Sequence, residues 1–298
     1  MTALLVSMAG VFGAIVGSFL NVVAHRIPRD EPLGLFRKTR SYCPSCKAKI
    51  AWFDNVPLVS YALLLGKCRA CAWRIPLRYP LVEAACAALF ALAAARTSAL
   101  GWTPAWLAFG VTAAFSAICL AASAIDFEHK ILPDELTLRA GPLVGLAGAL
   151  FLPGLHGTAF FGRDADGMAR WGLDLVPALK PGLASLVVGL AGAATGAGII
   201  ALIRWLGTLM VRREAMGLGD VKFMLMCGLL LGPWNTVLAI MVAMVGGSVL
   251  GILIWAVTRN REIPFGPFLA MGALAVLFYG ASIEHLILVD YPAWVRGG

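Results

Sequence analysis

Four cysteines in the first quarter of the chain have the spacing of a metal site. They form two Cys-x-x-Cys pairs, Cys43 with Cys46 and Cys68 with Cys71, and 21 residues separate the pairs. Each pair bends the chain so that two thiolates face one ion, and two pairs complete a closed tetrahedral zinc site. Four protein ligands leave no open position, so we predict a structural zinc. Disulfides are the alternative, and the cytoplasmic location argued below disfavours them.

Two aspartates lie where apolar segments meet polar ones. Asp126 ends one apolar segment and Asp220 begins another. Two carboxyl groups held close together do not both ionise readily. The ionised one can take a proton from water while the protonated one polarises a peptide carbonyl. This pattern predicts aspartyl proteolysis, with an interfacial or helix-capping role as the alternative for each residue. Glu128 and His129 are expected to be solvated loop residues.

Four further residues are predicted to support this pair. Gly217 and Gly219 precede Asp220 and would let the backbone leave helical geometry and approach a substrate strand. Lys222 would either tune the charge of Asp220 or only mark the membrane interface. Asp134 precedes an apolar segment, which favours a helix N-cap.

The elements that must position these side chains are membrane helices. Of the 298 residues, 60% are hydrophobic and 13% charged, whereas soluble domains carry about 25% charged residues. Eight apolar blocks approach the roughly 20 residues that cross a bilayer, the shortest being 221–233. We predict an all-α fold, a polytopic membrane helical bundle of about eight transmembrane helices with a small zinc-binding cytoplasmic loop domain. The blocks are about 3–23, 81–97, 104–125, 138–153, 181–206, 221–233, 235–258 and 268–289.

The distribution of basic residues predicts the orientation of the chain. Cytoplasmic loops are enriched in Lys and Arg. If both termini lie outside, 19 of the 24 Lys and Arg residues fall in cytoplasmic segments, 11 of them in residues 24–80. Both aspartates then lie at the cytoplasmic face. The net charge of +8 follows from this topology, and a nucleic-acid-binding protein is disfavoured because it needs a basic face on a soluble domain.

Three regions follow from this topology. Residues 1–23 are predicted to form the first transmembrane helix, 24–80 the cytoplasmic zinc-binding domain, and 81–298 the transmembrane aspartyl peptidase domain. Within the last region, Gly192 and Gly196 form a small-xxx-small pair, which favours close packing of helices.

The motifs together resemble the type IV prepilin peptidase family over nearly the whole chain. The resemblance covers an opening motif, the cysteine loop, both aspartate motifs and a late loop. The matching segments are 17–28, 43–71, 52–57, 78–83, Asp126 with Pro133 and Asp134, 217–220, and 264–267.

This resemblance implies a specific activity. Members cleave the leader of prepilins and pseudopilins at the cytoplasmic face of the bacterial inner membrane. Many then N-methylate the new N-terminus with S-adenosylmethionine. The resemblance implies that Asp126 and Asp220 are catalytic, and that the protein's partners are prepilins and membrane lipid. The sequence contains no methyl-donor motif, so the methyltransferase activity and its cofactor follow from the resemblance alone.

A different class of protein is the alternative. Paired membrane carboxylates also form proton or cation paths, with the cysteine loop then acting as a regulatory zinc module. A transporter more often places such groups near the bilayer midplane, in repeated halves. Here both aspartates are predicted at one face and no repeat is visible, which favours the peptidase.

Overall fold

The computed structural model describes residues 2–31, 41–100, 104–152, 181–212, 214, 216–258 and 264–295. Residues 153–180, which include the connection between the predicted blocks 138–153 and 181–206, lie outside the described residues. Ten α-helices are described: α1 Thr2–Arg26, α2 Val59–Leu63, α3 Arg78–Leu100, α4 Ala105–His129, α5 Gly141–Phe151, α6 Pro181–Val211, α7 Leu218–Leu231, α8 Pro233–Thr258, α9 Gly266–His285 and α10 Tyr291–Val295. Short 3₁₀ turns lie at Ile27–Arg29 and Trp52–Asn55, and π-helical turns at Glu135–Ala140 and Leu286–Asp290.

The all-α prediction is confirmed, and six helices of the described chain are long and apolar enough to cross a membrane. These are α1, α3, α4, α6, α8 and α9. Each of the eight predicted blocks contains a helix among the described residues, but α5 and α7 have only 11 and 14 residues. At 1.5 Å per residue they reach about 17 and 21 Å, short of the roughly 30 Å hydrocarbon core. A count of eight spans therefore stays a prediction.

Glycines set how closely α1 and α3 approach. A Cβ added at Gly13 would lie 2.6 Å from the carbonyl oxygen of Cys86, and one at Gly17 would lie 2.7 Å from the Cα of Glu83. Only glycine fits these two positions without separating the helices. The extensive contact between α1 and α3 anchors the N-terminal helix to the rest of the bundle.

Helices α6 and α7 approach each other in the same way. A Cβ at Gly192 would overlap the carbonyl oxygen of Gly228, and one at Gly196 would lie 2.5 Å from the carbonyl oxygen of Met224. The predicted packing role of Gly192 and Gly196 is therefore confirmed. Since α7 begins at Leu218, this contact also holds the helix that carries Asp220.

Helix α7 lies inside the bundle and α1 at its edge. Nine of the 14 residues of α7 are buried, and it packs against α5, α6, α8 and α9. By contrast, Leu4, Met8, Val11 and Ile15 on one face of α1 are exposed, at the spacing of a single helical stripe. Such a stripe suits contact with lipid.

We expect Gly192→Ala to lower the thermal unfolding midpoint. The new methyl group forces α6 away from α7, and overpacking of this kind costs typically about 1–3 kcal/mol. Gly198→Ala on the same helix is the matched control. Nothing lies within 4 Å of an added Cβ there, and alanine is the better helix former by about 1 kcal/mol. Equal midpoints for the two variants would contradict the packing role.

Candidate active site

Asp126 is the last buried residue of α4. The helix stops at His129 because Lys130 adopts a left-handed conformation with φ 54°, and its N–H donates to the Asp126 carbonyl. The Asp126 side chain points into the protein, and only 6% of the residue is exposed. Its Oδ2 accepts a hydrogen bond of 3.0 Å from the backbone N–H of Gly266, the first residue of α9.

Asp220 approaches the same place from α7. Gly217 is the N-cap of this helix in an extended conformation, and Asp220 lies in the first turn. The residue is 8% exposed, and its carboxyl interacts electrostatically with that of Asp126. The structure thus brings together two carboxyl groups that are 94 residues apart in sequence. Three helix termini, from α4, α7 and α9, meet around the pair.

Gly266 is a site residue that sequence reasoning did not identify. A Cβ at this position would lie only 2.6 Å from Oδ2 of Asp126, so the hydrogen bond requires glycine. The surrounding segment 264–267 was noted only as a family motif. No sequence pattern relates a backbone N–H to a carboxylate 140 residues away, although a glycine between prolines near a helix start hints at a close approach.

Leu132 packs between the segments that carry the site. A Cβ at Gly219 would lie 2.9 Å from the Cβ of Leu132, and one at Gly266 would lie 3.4 Å from its Cδ1. Leu132 therefore leaves no room for a side chain at position 219. Gly219 belongs to α7, so the prediction that it leaves helical geometry is wrong. Gly217 alone has extended backbone.

The predicted N-cap role of Asp134 is also wrong. Asp134 already has helical backbone angles, and its side chain makes no capping hydrogen bond. The helical turns start one residue earlier, since the Pro133 carbonyl accepts the Thr137 N–H. Both carboxylate oxygens of Asp134 instead accept hydrogen bonds from Lys222 Nζ, at 2.7 and 3.0 Å. The ion pair ties the first turn of α7 to the segment that follows α4.

Glu128 and His129 belong to α4 and not to a solvated loop. Glu128 forms an ion pair with Arg78, the first residue of α3. This pair connects the end of the cysteine loop to a point two residues from Asp126. The sequence reading missed it because the two partners lie 50 residues apart.

Arg204 fixes the approach to α7. Its Nε donates to the carbonyl oxygen of Met216 at 2.9 Å, and its guanidinium pairs with Glu214 at 3.2 Å. The backbone just before Gly217 is thereby attached to α6. Asp220 is positioned by this attachment at one side and by the Lys222 ion pair at the other.

The four cysteines that the sequence singled out do converge. Their sulfur atoms all lie within 4.8 Å of one another, and Cys43 Sγ is 4.0 Å from Cys71 Sγ. Four thiolates bound at about 2.3 Å around one zinc lie about 3.8 Å apart. The side chains therefore fit a tetrahedral ion with little movement, and all seven cysteines are free.

The two cysteine pairs have the same local structure. The N–H of Cys43 donates to the Ala48 carbonyl, and the N–H of Cys68 donates to the Trp73 carbonyl. The residue after each pair, Lys47 or Ala72, has a positive φ of 60° or 57°. L-residues adopt this conformation at a cost, so the tight turns need a compensating interaction. A shared metal would supply it.

The pKa values of Cys68 and Cys46 are shifted in opposite directions. Backbone N–H groups of Cys71 and Ala70 lower the pKa of Cys68 to about 7. The Ala48 N–H also acts to lower the pKa of Cys46, but desolvation and the other three thiols together raise it to about 11. A divalent ion would displace the shared protons and bind four thiolates.

Fold and site together define a polytopic membrane protein with a buried aspartate pair and a four-cysteine cluster. The model of the Bacterial Peptidase A24 N-terminal domain matches residues 11–97, and that of the Type IV leader peptidase family matches residues 113–255. The chain therefore belongs to the type IV leader peptidase family, and it is a bacterial membrane protein. The resemblance seen in the sequence is confirmed.

Curated relatives match almost end to end. A prepilin leader peptidase/N-methyltransferase of Burkholderia pseudomallei is 34% identical, over 96% of this chain and 89% of the relative. Proteins of the same name from Aeromonas hydrophila and Pseudomonas aeruginosa are 31% and 35% identical. They cover 96% and 93% of this chain, and 94% and 91% of their own lengths. No solved structure matches the chain at a significant level.

We expect the purified protein to contain about one zinc per chain, and Cys46→Ser or Cys68→Ser to release it. Each substitution removes one of four thiolates from a site whose binding energy also folds the loop. Metal analysis by mass spectrometry is the measurement. Cys119→Ala, which removes a buried thiol of α4, should keep the metal. Near-stoichiometric zinc in a variant lacking all four cluster cysteines would reject the assignment.

Proposed function

We propose that this protein is a prepilin peptidase, an aspartyl endopeptidase that removes the leader peptide of type IV prepilins or pseudopilins. The observation that carries the proposal is the pair of buried carboxyl groups, Asp126 and Asp220, at the meeting point of three helix ends. The names of its relatives support the substrate class. Family membership supports the reaction class.

The two carboxyl groups have separate tasks in this proposal. The Gly266 N–H orients Asp126 and partners one of its oxygens, which suits an anionic base. Asp126 takes a proton from water as the water oxygen attacks the peptide carbonyl carbon. Asp220, protonated, donates a hydrogen bond to the carbonyl oxygen as it becomes negative. The tetrahedral intermediate then collapses, the C–N bond breaks, and the leaving amine takes up the proton that Asp126 took from water.

The supporting residues hold the two carboxyl groups in position. The ion pair between Lys222 and Asp134 holds the first turn of α7 against the segment after α4. Both partners are partly exposed, so it contributes at most about 1 kcal/mol to stability. We assign it a positioning role. Gly217 caps α7 with an extended backbone, and Gly219 lets the helix begin close to Leu132.

The depth of the site fits the substrate. We propose that both termini lie outside the inner membrane and that the aspartates lie at its cytoplasmic face, as the distribution of Lys and Arg favours. Asp126 and Asp220 are at the polar ends of otherwise apolar helices. A substrate cut where its polar leader meets an apolar helix would present its scissile bond at that depth.

A second reaction follows the cleavage in this proposal. The relatives' names include N-methyltransferase, and we propose that this protein also methylates the new N-terminus with S-adenosylmethionine. When bound, that donor supplies a methyl carbon to the amine nitrogen as its C–S bond breaks.

The chain is divided into three regions in this proposal. Residues 1–23 form the first transmembrane helix, and residues 24–80 form the cytoplasmic domain, whose folding a structural zinc stabilises. Residues 81–298 form the peptidase domain.

We expect Asp126→Asn and Asp220→Asn each to reduce prepilin cleavage by about 10³-fold or more. Asparagine keeps the size of the side chain but neither accepts the proton from water nor shares one. The double variant should be no worse than either single one, because residues that act as a unit are non-additive. The assay is mass analysis of a prepilin incubated with each variant, with zinc content as a check on folding. Robust cleavage by folded Asp220→Asn would reject the pair.

We expect Gly266→Ala to slow cleavage by about 100-fold, because the new methyl group displaces the Asp126 carboxyl and misplacement by about 1 Å costs that much. The matched control is Gly110→Ala on α4, where an added Cβ meets nothing within 4 Å. That variant should cleave at the normal rate. If both variants cleave equally well, the Gly266 hydrogen bond has no part in catalysis.

A further inference from the structure

An exposed stripe of α3 continues past the start of the helix into the cysteine loop. Its members are all apolar and follow one face of the helix at intervals of three, four or seven residues. They are Leu77, Leu81, Ala84, Ala88 and Ala95. Leu77 precedes the first residue of α3, but its carbonyl accepts the N–H of Leu81 at 3.1 Å, so helical geometry already begins there. Because α3 is long and apolar enough to cross a membrane, this stripe suits contact with lipid as far as the loop.

The second cysteine turn lies against this end of α3. The N–H of Ile75 donates to the Gly66 carbonyl at 2.8 Å, and the Tyr61 hydroxyl donates to the Ile75 carbonyl at 3.3 Å. Leu65 is next to Gly66, and 83% of it is exposed. These hydrogen bonds hold Leu65 near the segment that leads into Leu77. The exposed apolar surface therefore continues from α3 onto the loop.

Helix α2 of the loop also exposes apolar side chains. Val59 and Leu63 are four residues apart on one face of this short helix, and 54% and 77% of them are exposed. Ser60 of the same helix is buried, and its hydroxyl donates to the Phe53 carbonyl at 2.9 Å. A helix that faces water has the opposite arrangement, with apolar side chains inward and polar ones outward. The outer face of α2 is thus suited to apolar surroundings.

Two basic residues lie beside these leucines. Lys67 and Arg74 are opposite each other in an antiparallel bridge. Lys67 follows Leu65 by two residues, and Arg74 directly precedes Ile75. Both are exposed, and neither forms an ion pair within the part of the chain that the structure describes. Their charges are therefore available to an anionic partner.

We propose that one face of the cysteine loop lies on the membrane surface and binds anionic phospholipids there. This loop face consists of Val59, Leu63, Leu65, Lys67, Arg74 and Leu77. Its apolar side chains enter the boundary between headgroups and acyl chains, and its two cations contact the phosphate groups. Apolar side chains combined with Lys or Arg are typical of segments that lie in the plane of a membrane interface.

Two observations favour lipid over a protein partner. The loop face is continuous with the lipid-facing stripe of α3, and Leu77 belongs to both. Its charge is also opposite to that of anionic headgroups, and each basic residue near such a surface strengthens binding by about five-fold. Docking would hold the cysteine loop against the bilayer at the level where α3 emerges.

The test is photocrosslinking of the full-length protein in lipid nanodiscs that contain equal amounts of phosphatidylglycerol and phosphatidylcholine. A photoreactive phenylalanine derivative takes the place of Leu65, whose exposure makes the change compatible with the fold. Mass spectrometry then identifies the molecule attached at position 65. We expect phospholipid adducts, with anionic phosphatidylglycerol favoured over phosphatidylcholine by at least about five-fold.

Charge reversal tests the contribution of the basic residues. In the protein that carries the photoreactive residue, Arg74→Glu should lower the yield of the phosphatidylglycerol adduct by about five-fold or more. Lys49→Glu is the matched control and should leave the yield unchanged. Lys49 and Arg74 are both exposed, and each lies six residues after the first cysteine of its pair, so the two changes affect the cysteine cluster alike. The thermal unfolding midpoint checks that each variant is folded, and Lys67→Glu replaces Arg74→Glu if the latter is not.

The outcomes separate lipid from other partners. An absence of lipid adducts at position 65 would overturn the proposal, as would equal yields from the two headgroups. Equal losses in Arg74→Glu and Lys49→Glu would also overturn it. Adducts with an added prepilin in place of lipid would assign the loop face to a protein partner instead. None of these measurements depends on cleavage, so the peptidase proposal is tested separately.

Discussion

Two acidic side chains must be kept out of water without being isolated, and the bundle is arranged around this constraint. A carboxyl group buried among apolar helices is costly unless polar partners accompany it. Here the partners come from helix ends, where unpaired backbone groups are available. The Gly266 N–H at the start of α9 reaches Asp126, and the start of α7 brings Asp220 beside it. Glycine contacts along α6 and α7 then fix where that start lies.

The N-terminal part of the protein is stabilised in a different way. A loop of about 50 residues has little apolar core of its own, and its folding is better served by a metal than by packing. Two equivalent turns present four sulfur atoms to one point. The same turns enclose a cavity against α1 and α3. The Arg78–Glu128 ion pair links this part to the helix that carries Asp126.

Residue types and local spacing were enough to predict the helices, the cysteine cluster and the aspartate pair. Local spacing failed where a partner came from a distant segment. Asp134 was expected to cap a helix because its neighbours are a proline and an apolar run. Its carboxylate instead accepts hydrogen bonds from Lys222, which lies 88 residues away in sequence. Gly219 was expected to let the backbone leave helical geometry, but it is a glycine because Leu132 packs against it and leaves no room for a side chain.

The hydrogen bond from Gly266 has a consequence for how the protein can be divided. The leader peptidase family match ends at residue 255, eleven positions before the residue that holds Asp126. A recombinant fragment trimmed to that limit would retain both aspartates and yet lack the start of α9. It would also expose the buried face that α9 covers on α4 and α8. The smallest unit that keeps the aspartate site intact is therefore longer than the segment that the leader peptidase family model matches.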